Sequence, residues 1–233
     1  MRYELSGESG FELARIYLGK GETAKIENGA MVYMQDAALA GKLNSGKKGL
    51  GGLLGAIGRS LTSGESMFIT QVTGTSPDGV VGIAPSVPGR IVKLEVGERQ
   101  YRLNDGAFFA CDDSVSYKMQ KQNISQAVFG GSGGLFVIET EGRGDLLVSS
   151  FGDLLEIECT QAKPVTIDNE HVVAWDAGLN YSIEVASGTF GFTTGEGLVN
   201  RFTGEGKILI QTRNVHSLAE AVRPFLPDKS SGN

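Results

Sequence analysis

The stretch IENGAMVYMQDA, residues 26–37, decides the fold because the chain contains two close copies of it. The copies are LNDGAFFACDDS, residues 103–114, and IDNEHVVAWDAG, residues 167–178. Each places a short turn before an apolar run. The Asn-Gly pair at 28–29 and the Asp-Gly pair at 105–106 tolerate the positive φ of a tight turn. The sequence therefore predicts three equivalent β-strands, each entered through a tight turn.

Recurring sequence segments also flank the three copies on both sides. Two alternating apolar runs precede each copy, at residues 14–26, 92–103 and 155–167, and we interpret each pair of runs as a β-hairpin. A second recurring segment follows each copy: ESMFITQVTG at 65–74, GGLFVIETEG at 133–142 and GEGLVNRFTG at 195–204. Such self-similarity indicates one supersecondary unit repeated three times. We predict an all-β fold that packs three units around a shared core, as a prism or barrel-like sandwich.

These repeats set the predicted domain organisation. We expect a single all-β domain over residues 1–227, with repeats at about 11–89, 90–153 and 154–214. A short amphipathic helix is predicted at 216–226 and a disordered polar tail at 228–233.

Composition limits the partners and the compartment. The 233 residues include 34 glycines but 6 prolines, which favours many tight turns over low-complexity disorder. A formal net charge of -6 repels the negatively charged phosphate backbone of nucleic acids, so we expect no nucleic-acid partner. Cys111 and Cys159 are typical of free thiols in a reducing compartment. The N-terminal residues do not resemble a secretory leader, and we predict a cytoplasmic protein.

The first repeat carries about ten more residues than the others, in a glycine- and leucine-rich insertion at 44–62. Its apolar residues share one helical stripe and have basic neighbours: Leu50, Leu53, Leu54, Ile57 and Leu61, with Lys47, Lys48 and Arg59. These residues are candidates for contact with a partner or an anionic membrane surface. Interleaved glycines oppose a helix, so a loop folded on the protein's own sheet, or on another subunit, is the alternative.

A search for catalytic chemistry finds little. Cys111 aligns with Met34 and Trp175, which are apolar positions, so we predict a buried, inert thiol. Asp112, Asp176 and Gln35 share one position across the repeats and are weak candidates for a metal site, against the alternative of solvated strand ends. We predict no catalytic residues, no cofactor and no enzymatic activity.

Binding of a small ligand is a second function to consider, because the mouths of β-barrels often bind small molecules. Tyr33, Phe108 and Trp175 are the candidate walls, although core packing explains the same aromatic residues.

Three strings resemble a known family over nearly the full length: GLLGAIGRSLTSGESMFIT (52–70), VVAWDAGL (172–179) and GLVNRFTGEGKILIQTRN (197–214). This is the bacterial and archaeal family related to the Altered Inheritance of Mitochondria (AIM) mitochondrial biogenesis protein. Its members resemble the tryptophan RNA-binding attenuation protein (TRAP) in fold. The resemblance implies a TRAP-like, double-stranded β-helix architecture. It implies no catalysed reaction, and a fold likeness alone transfers neither tryptophan nor RNA binding.

Our leading hypothesis is a non-enzymatic scaffold or interaction protein. It would form a homo-oligomer, a trimer or higher, through sheet edges or the insertion, and could lie at a membrane surface. Two alternatives stay open: a small-ligand-binding β-module, and a metal-dependent enzyme built on Asp112 and Asp176.

Overall fold

The computed structural model describes residues 1–43, 68–104, 106–121, 136–186 and 197–226. The first repeat follows β1 (Arg2–Ser6) and comprises β2 (Leu13–Leu18), β3 (Thr23–Glu27), β4 (Met31–Gln35), β5 (Ala37–Leu43), β6 (Phe68–Gly74) and β7 (Gly79–Ile83). The second comprises β8 (Ile91–Val96), β9 (Tyr101–Leu103), β10 (Phe108–Asp112), β11 (Val115–Lys121), β12 (Phe136–Gly142) and β13 (Gly144–Ser149).

The third repeat comprises β14 (Leu154–Cys159), β15 (Val165–Asp168), β16 (Val172–Asp176), β17 (Asn180–Val185), β18 (Leu198–Thr203) and β19 (Gly206–Gln211). A 3₁₀ turn, Asn169–His171, links β15 to β16. Helix α1 (Val215–Val222) and a 3₁₀ turn (Arg223–Phe225) follow β19. The all-β prediction is confirmed, with one short helix near the C-terminus; the TRAP-like and double-stranded β-helix labels stay predictions.

Each repeat pairs its six strands in the same way. The sixth strand lies between the first and the third, and the fifth lies between the second and the fourth. All of these ladders are antiparallel. One repeat therefore forms two three-stranded layers, and its chain crosses between them several times.

Neighbouring repeats are joined by hydrogen bonds between strands. Strand β3 pairs with β10, and β9 pairs with β16, so the second strand of one repeat always meets the third strand of the next. These junctions merge the layers into two six-stranded sheets, while β1-β2-β7-β4 and β15-β18-β17 form smaller sheets at the two ends of the series.

The predicted hairpins before the three copies are wrong. Strands β2 and β3 lie in different sheets, as do β8 and β9, and β14 and β15. Alternating hydrophobicity indicates which face of a strand is buried but not which strand is its partner. Gly29 (φ 83°) and Gly106 (φ 79°) do adopt the expected positive φ, but their turns carry the chain from one sheet to another. The hairpins formed by adjacent strands include β5–β6, β11–β12 and β17–β18.

The copies of the opening stretch differ sharply in burial. In β10 the residues FFACD include four buried side chains, and in β16 all five residues of VVAWD are buried. In β4, by contrast, all five residues of MVYMQ are exposed. The difference accompanies the topology, because β10 and β16 each pair with a strand of the preceding repeat, whereas β4 pairs with β7 alone among the described strands.

Candidate functional site

The two junctions inside the chain share one geometry. At the first, Ile26 lies opposite Ala110 and Lys25 opposite Cys111. At the second, Leu103 lies opposite Ala174 and Arg102 opposite Trp175. The register is the same at both, because Ala110 and Ala174 occupy the same position after the bulge in their strands.

A basic side chain strengthens each junction. Lys25 donates from Nζ to the carbonyl oxygens of Asp113 and Val115, at 2.7 Å in both cases. Arg102 donates from Nη1 to the carbonyl oxygen of Leu179 at 3.1 Å. The second strand of one repeat therefore holds the turn that follows the third strand of the next repeat. Hydrogen bonds from charged groups are the stronger ones in proteins.

The third pair of this type is not formed. Strand β4 is the third strand of the first repeat, and β15 is the second strand of the last repeat. Among the described residues, β4 pairs with β7 on one side and β15 with β18 on one side, and each forms the outer edge of its sheet. These are the two halves of a junction, at opposite ends of the series of repeats.

The β4 edge is apolar as well as open. Met31, Val32, Tyr33 and Met34 are 38%, 57%, 40% and 42% exposed. The equivalent side chains of the third repeat, including Trp175, are buried. A contiguous run of exposed apolar side chains on an unpaired edge is unusual for a protein that acts as a monomer.

Opposite charges lie near the two open edges. Thr166 of β15 lies opposite Arg201 of β18, and both are exposed. Asp36 follows β4 directly and is exposed, with a φ of 50°. At the first in-chain junction, Gln71 donates to the Asp113 carboxylate at 3.4 Å. Arg201 and Asp36 occupy the positions equivalent to Gln71 and Asp113.

The three candidate metal ligands lie on the third strands of three different repeats. Asp112 accepts a hydrogen bond from the backbone N–H of Asp145 at 2.7 Å, and Asp176 accepts one from the N–H of Lys207 at 2.9 Å. Both carboxylates thus hold the start of the sixth strand of their own repeat. Gln35 lies on the exposed β4. Across the described ranges, no three His, Cys, Asp or Glu residues cluster as metal ligands would.

The aromatic candidates are dispersed. Phe108 and Trp175 are buried in different core clusters, where Trp175 packs edge-on against Tyr181 and Phe202. Tyr33 lies on the open β4 edge. The three do not line one cavity.

Both thiols are buried, which confirms the prediction made for Cys111. Cys111 and Cys159 are both fully inaccessible and not disulfide-bonded. Burial raises the pKa of the Cys111 thiol to about 12, so this group remains protonated at neutral pH.

A cavity of about 320 Å³ opens where the three repeats meet. Its lining includes Val87 of the first repeat, Asn104 and Ser149 of the second, and Asn169 and Gln211 of the third. The side-chain Oδ1 atom of Asn169 is buried and accepts no hydrogen bond from any residue that the structure describes.

The insertion candidates fall outside the described residues. The segment 44–67 separates β5 from β6, so Lys47, Lys48, Leu50, Leu53, Leu54, Ile57, Arg59 and Leu61 have no described geometry. In the described part of the chain, no helix has the length and apolar character needed to cross a bilayer.

The open β4 edge, Arg201 and Asp36 were not predicted from the sequence. A signal was present, because the repeat alignment places Met31–Gln35 in the position of two buried strands. The exposure of this segment can be interpreted only when one knows that the third strand of a repeat pairs with the second strand of the preceding repeat.

Fold and edges together define a class: an all-β protein of three six-stranded repeats joined in series, with a half-junction exposed at either end. Residues 3–213 match the family described as "Mitochondrial biogenesis AIM24", and the chain belongs to that family. An uncharacterized protein of Streptococcus pyogenes serotype M6 is 48% identical, over 99% of this chain and 93% of its own length. The X-ray crystal structure of another Streptococcus pyogenes protein is similar, with 46% identity, a TM-score of 0.80, and coverage of 97% of this chain and 99% of that one.

Proposed function

We propose that the protein is a non-enzymatic scaffold that self-associates head to tail, with β15 of one copy adding to β4 of the next. The observation that carries the proposal is the pair of open edges, which are the two halves of a junction already formed twice within the chain.

The in-chain junctions predict the register between copies. Ile167 would lie opposite Tyr33, Thr166 opposite Met34 and Val165 opposite Gln35. This pairing supplies partners for the unpaired backbone groups of both edges, which otherwise form a template for aggregation. It also covers the apolar run on β4, and fully burying one such side chain contributes about 1.5 to 3 kcal/mol.

Charge supports the same orientation. The proposed register brings Arg201 of one copy towards Asp36 of the next, in the arrangement that Gln71 and Asp113 already show within the chain. Opposite charges across an interface favour one register and disfavour others.

A head-to-tail contact uses two different surfaces, so it closes into a ring or continues as a filament. We expect a closed ring of three or more copies, because a closed ring leaves neither edge exposed.

A charge-exchange experiment tests the proposal. Arg201→Asp alone and Asp36→Arg alone should each lower the native mass measured by light scattering, and the double variant should restore it. Arg143→Asp, an exposed arginine in the β12–β13 turn, is the matched control and should leave the mass unchanged. The proposal is wrong if neither single variant differs from the control.

The cavity between the repeats supports a second function, the binding of a small polar ligand. The buried Oδ1 of Asn169 is an acceptor that a ligand N–H or O–H could satisfy. A thermal-shift screen with amino acids, sugars and metal ions tests this, since a ligand at a hundred times its Kd adds about 2.7 kcal/mol of stability. The absence of a shift with every compound would count against it, and so would a shift that Asn169→Ala leaves unchanged.

Membrane association is a separate proposal that rests on the sequence of the insertion. Co-sedimentation with anionic vesicles, comparing the whole chain with a deletion of residues 47–59, tests it directly. Binding that the deletion leaves intact would contradict a role for the insertion.

A further inference from the structure

His171, one of the two histidines in the chain, belongs to a hydrogen-bond network that ends at helix α1. Its Nδ1 atom lies 2.7 Å from the carbonyl oxygen of Gln211, and its Nε2 atom lies 2.9 Å from Nδ2 of Asn214. Asn214 accepts a hydrogen bond on Oδ1 from the N–H of Ser217, at 2.7 Å. Asn214 is buried, so this His171 network runs from β19 through the imidazole ring to the N-cap of α1.

The two backbone groups at the ends of the network fix the position of every proton in it. The Gln211 carbonyl can only accept, so Nδ1 of His171 carries a proton and donates it. The Ser217 N–H can only donate, so Oδ1 of Asn214 faces it and the amide NH₂ group faces His171. That NH₂ group is a donor, so Nε2 of His171 must be an acceptor without a proton. The network therefore requires a neutral imidazole ring with its proton on Nδ1.

A protonated ring cannot keep this arrangement. Both nitrogens of an imidazolium ring are donors, so Nε2–H of His171 would point at the NH₂ group of Asn214. If the Asn214 amide turns over and offers its oxygen to the ring, its NH₂ group faces the N–H of Ser217, and the N-cap is lost. Protonation of His171 and capping of α1 by Asn214 therefore exclude each other.

Other charged groups around His171 do not take over these hydrogen bonds. Among the residues that the structure describes, the ring nitrogens contact Gln211 and Asn214 and form no ion pair. The elements around the ring do carry titratable or charged side chains: Asp168 on β15, Glu170 beside His171, Asp176 on β16, Arg201 on β18, Lys207 on β19, Asp153 and Arg213 on the adjoining segments, and His216 and Glu220 on α1.

The network is a feature of the third repeat. Ala30 and Ala107 occupy the position of His171 in the other two repeats, and an alanine side chain cannot form such a network. The first two repeats lead into the first strand of the next repeat, whereas the third leads into α1. Val215, the first residue of α1, also lines the cavity where the three repeats meet. A change at the cap therefore reaches the wall of that cavity.

We propose that His171 is a pH switch: the neutral ring holds the N-cap of α1, and protonation releases the first turn of the helix together with the cavity wall at Val215. The switch depends neither on association of copies nor on a ligand in the cavity. Histidine is the side chain that ordinarily changes charge between about pH 5 and about pH 8, which makes that interval the one to test.

Amide hydrogen exchange at Ser217, followed by NMR in the full chain, tests the switch. From about pH 8 to about pH 5, protection of this amide should fall about fivefold relative to an unstructured peptide at the same pH, which is the effect of losing one N-cap. His171→Ala introduces the residue of the other two repeats and should abolish the pH dependence. His216→Ala, which removes the other histidine, is the matched control and should behave like the wild type.

Asn214→Asp is a second variant, and it should reverse the direction of the change. One carboxylate oxygen would cap Ser217 while the other accepts from the protonated ring, so protection of Ser217 should rise as pH falls. The proposal is overturned if the wild type shows no change, if His171→Ala keeps the change, or if Asn214→Asp follows the wild type. If His171→Ala does not fold, the opposite directions in Asn214→Asp and the wild type decide the test.

Discussion

Lys25 lies directly opposite Cys111 across the first junction, and its ammonium group reaches past that thiol to two backbone carbonyls of the second repeat. Arg102 and Trp175 repeat the arrangement one junction later. The corresponding pair at the ends of the chain is Thr166 and Met34, which the fold leaves apart. The strand pairing at these positions therefore stabilises the monomer twice and, in our proposal, joins one copy to the next, where Thr166 takes the place of the basic residue.

Met34→Lys should separate the copies without unfolding them. Met34 is exposed within one chain, so the free energy of unfolding of the monomer should change by about 0.5 kcal/mol or less. In the assembly the new charge would be placed in an apolar contact, so the native mass should fall. Sedimentation velocity together with urea denaturation measures both quantities. An unchanged sedimentation coefficient would show that β4 lies outside the contact.

Lys25→Ala should destabilise the monomer. The substitution leaves the carbonyl oxygens of Asp113 and Val115 without their charged donor, at a cost of about 2 kcal/mol. Lys20→Ala, an exposed lysine on the neighbouring turn, is the control. Urea unfolding monitored by Trp175 fluorescence measures the difference, and equal midpoints for the two variants would refute the role given to Lys25.

Cys111 should make the protein less stable in alkali. Its folded pKa is raised to about 12 from 9.0 because burial penalises the thiolate. Its stabilising contribution is therefore complete below pH 9 and is lost as pH rises from about 9 towards 12, where the unfolded thiol ionises first. The free energy of unfolding of Cys111→Ala should fall less steeply over that range than that of the wild type. Parallel curves for the two proteins would contradict the assignment.

Asp176 should matter for folding and not for metal binding. Asp176→Ala removes the acceptor for the N–H of Lys207 and should cost about 1 to 3 kcal/mol of stability. Asp112→Ala should cost a similar amount, because Asp112 holds Asp145 in the same way. Metal analysis of the purified protein and its response to a chelator provide the contrasting test: a stoichiometric metal that is lost in both variants would restore the hypothesis of a metal-dependent enzyme.

The all-β class was predictable from the sequence, because apolar runs typical of buried strands recur at Phe108–Asp112 and Val172–Asp176. Strand partners were not predictable from the same pattern. Alternation in residues 14–26 looks the same whether β2 pairs with β3 or with β7, and the pairing is set by contacts far apart in sequence. Asp112 and Asp176 show a related limit, because their shared position in the sequence does not reveal that each accepts a hydrogen bond from the sixth strand of its own repeat.

The exposed β4 edge illustrates what sequence comparison between repeats can and cannot indicate. Met31–Gln35 is as apolar as its buried counterparts, so its composition predicts burial. Among the described residues, no strand pairs with the outer edge of β4. In our proposal, a second copy covers this apolar edge, which would connect the repeat pattern to assembly.

The most direct test of the account is the native mass of the unmodified protein, measured by multi-angle light scattering over a dilution series. We predict a mass at least three times the 24.6 kDa of one chain, falling on dilution or in the Met34→Lys variant. A constant mass of 24.6 kDa at all concentrations would contradict head-to-tail association, and with it the scaffold proposal.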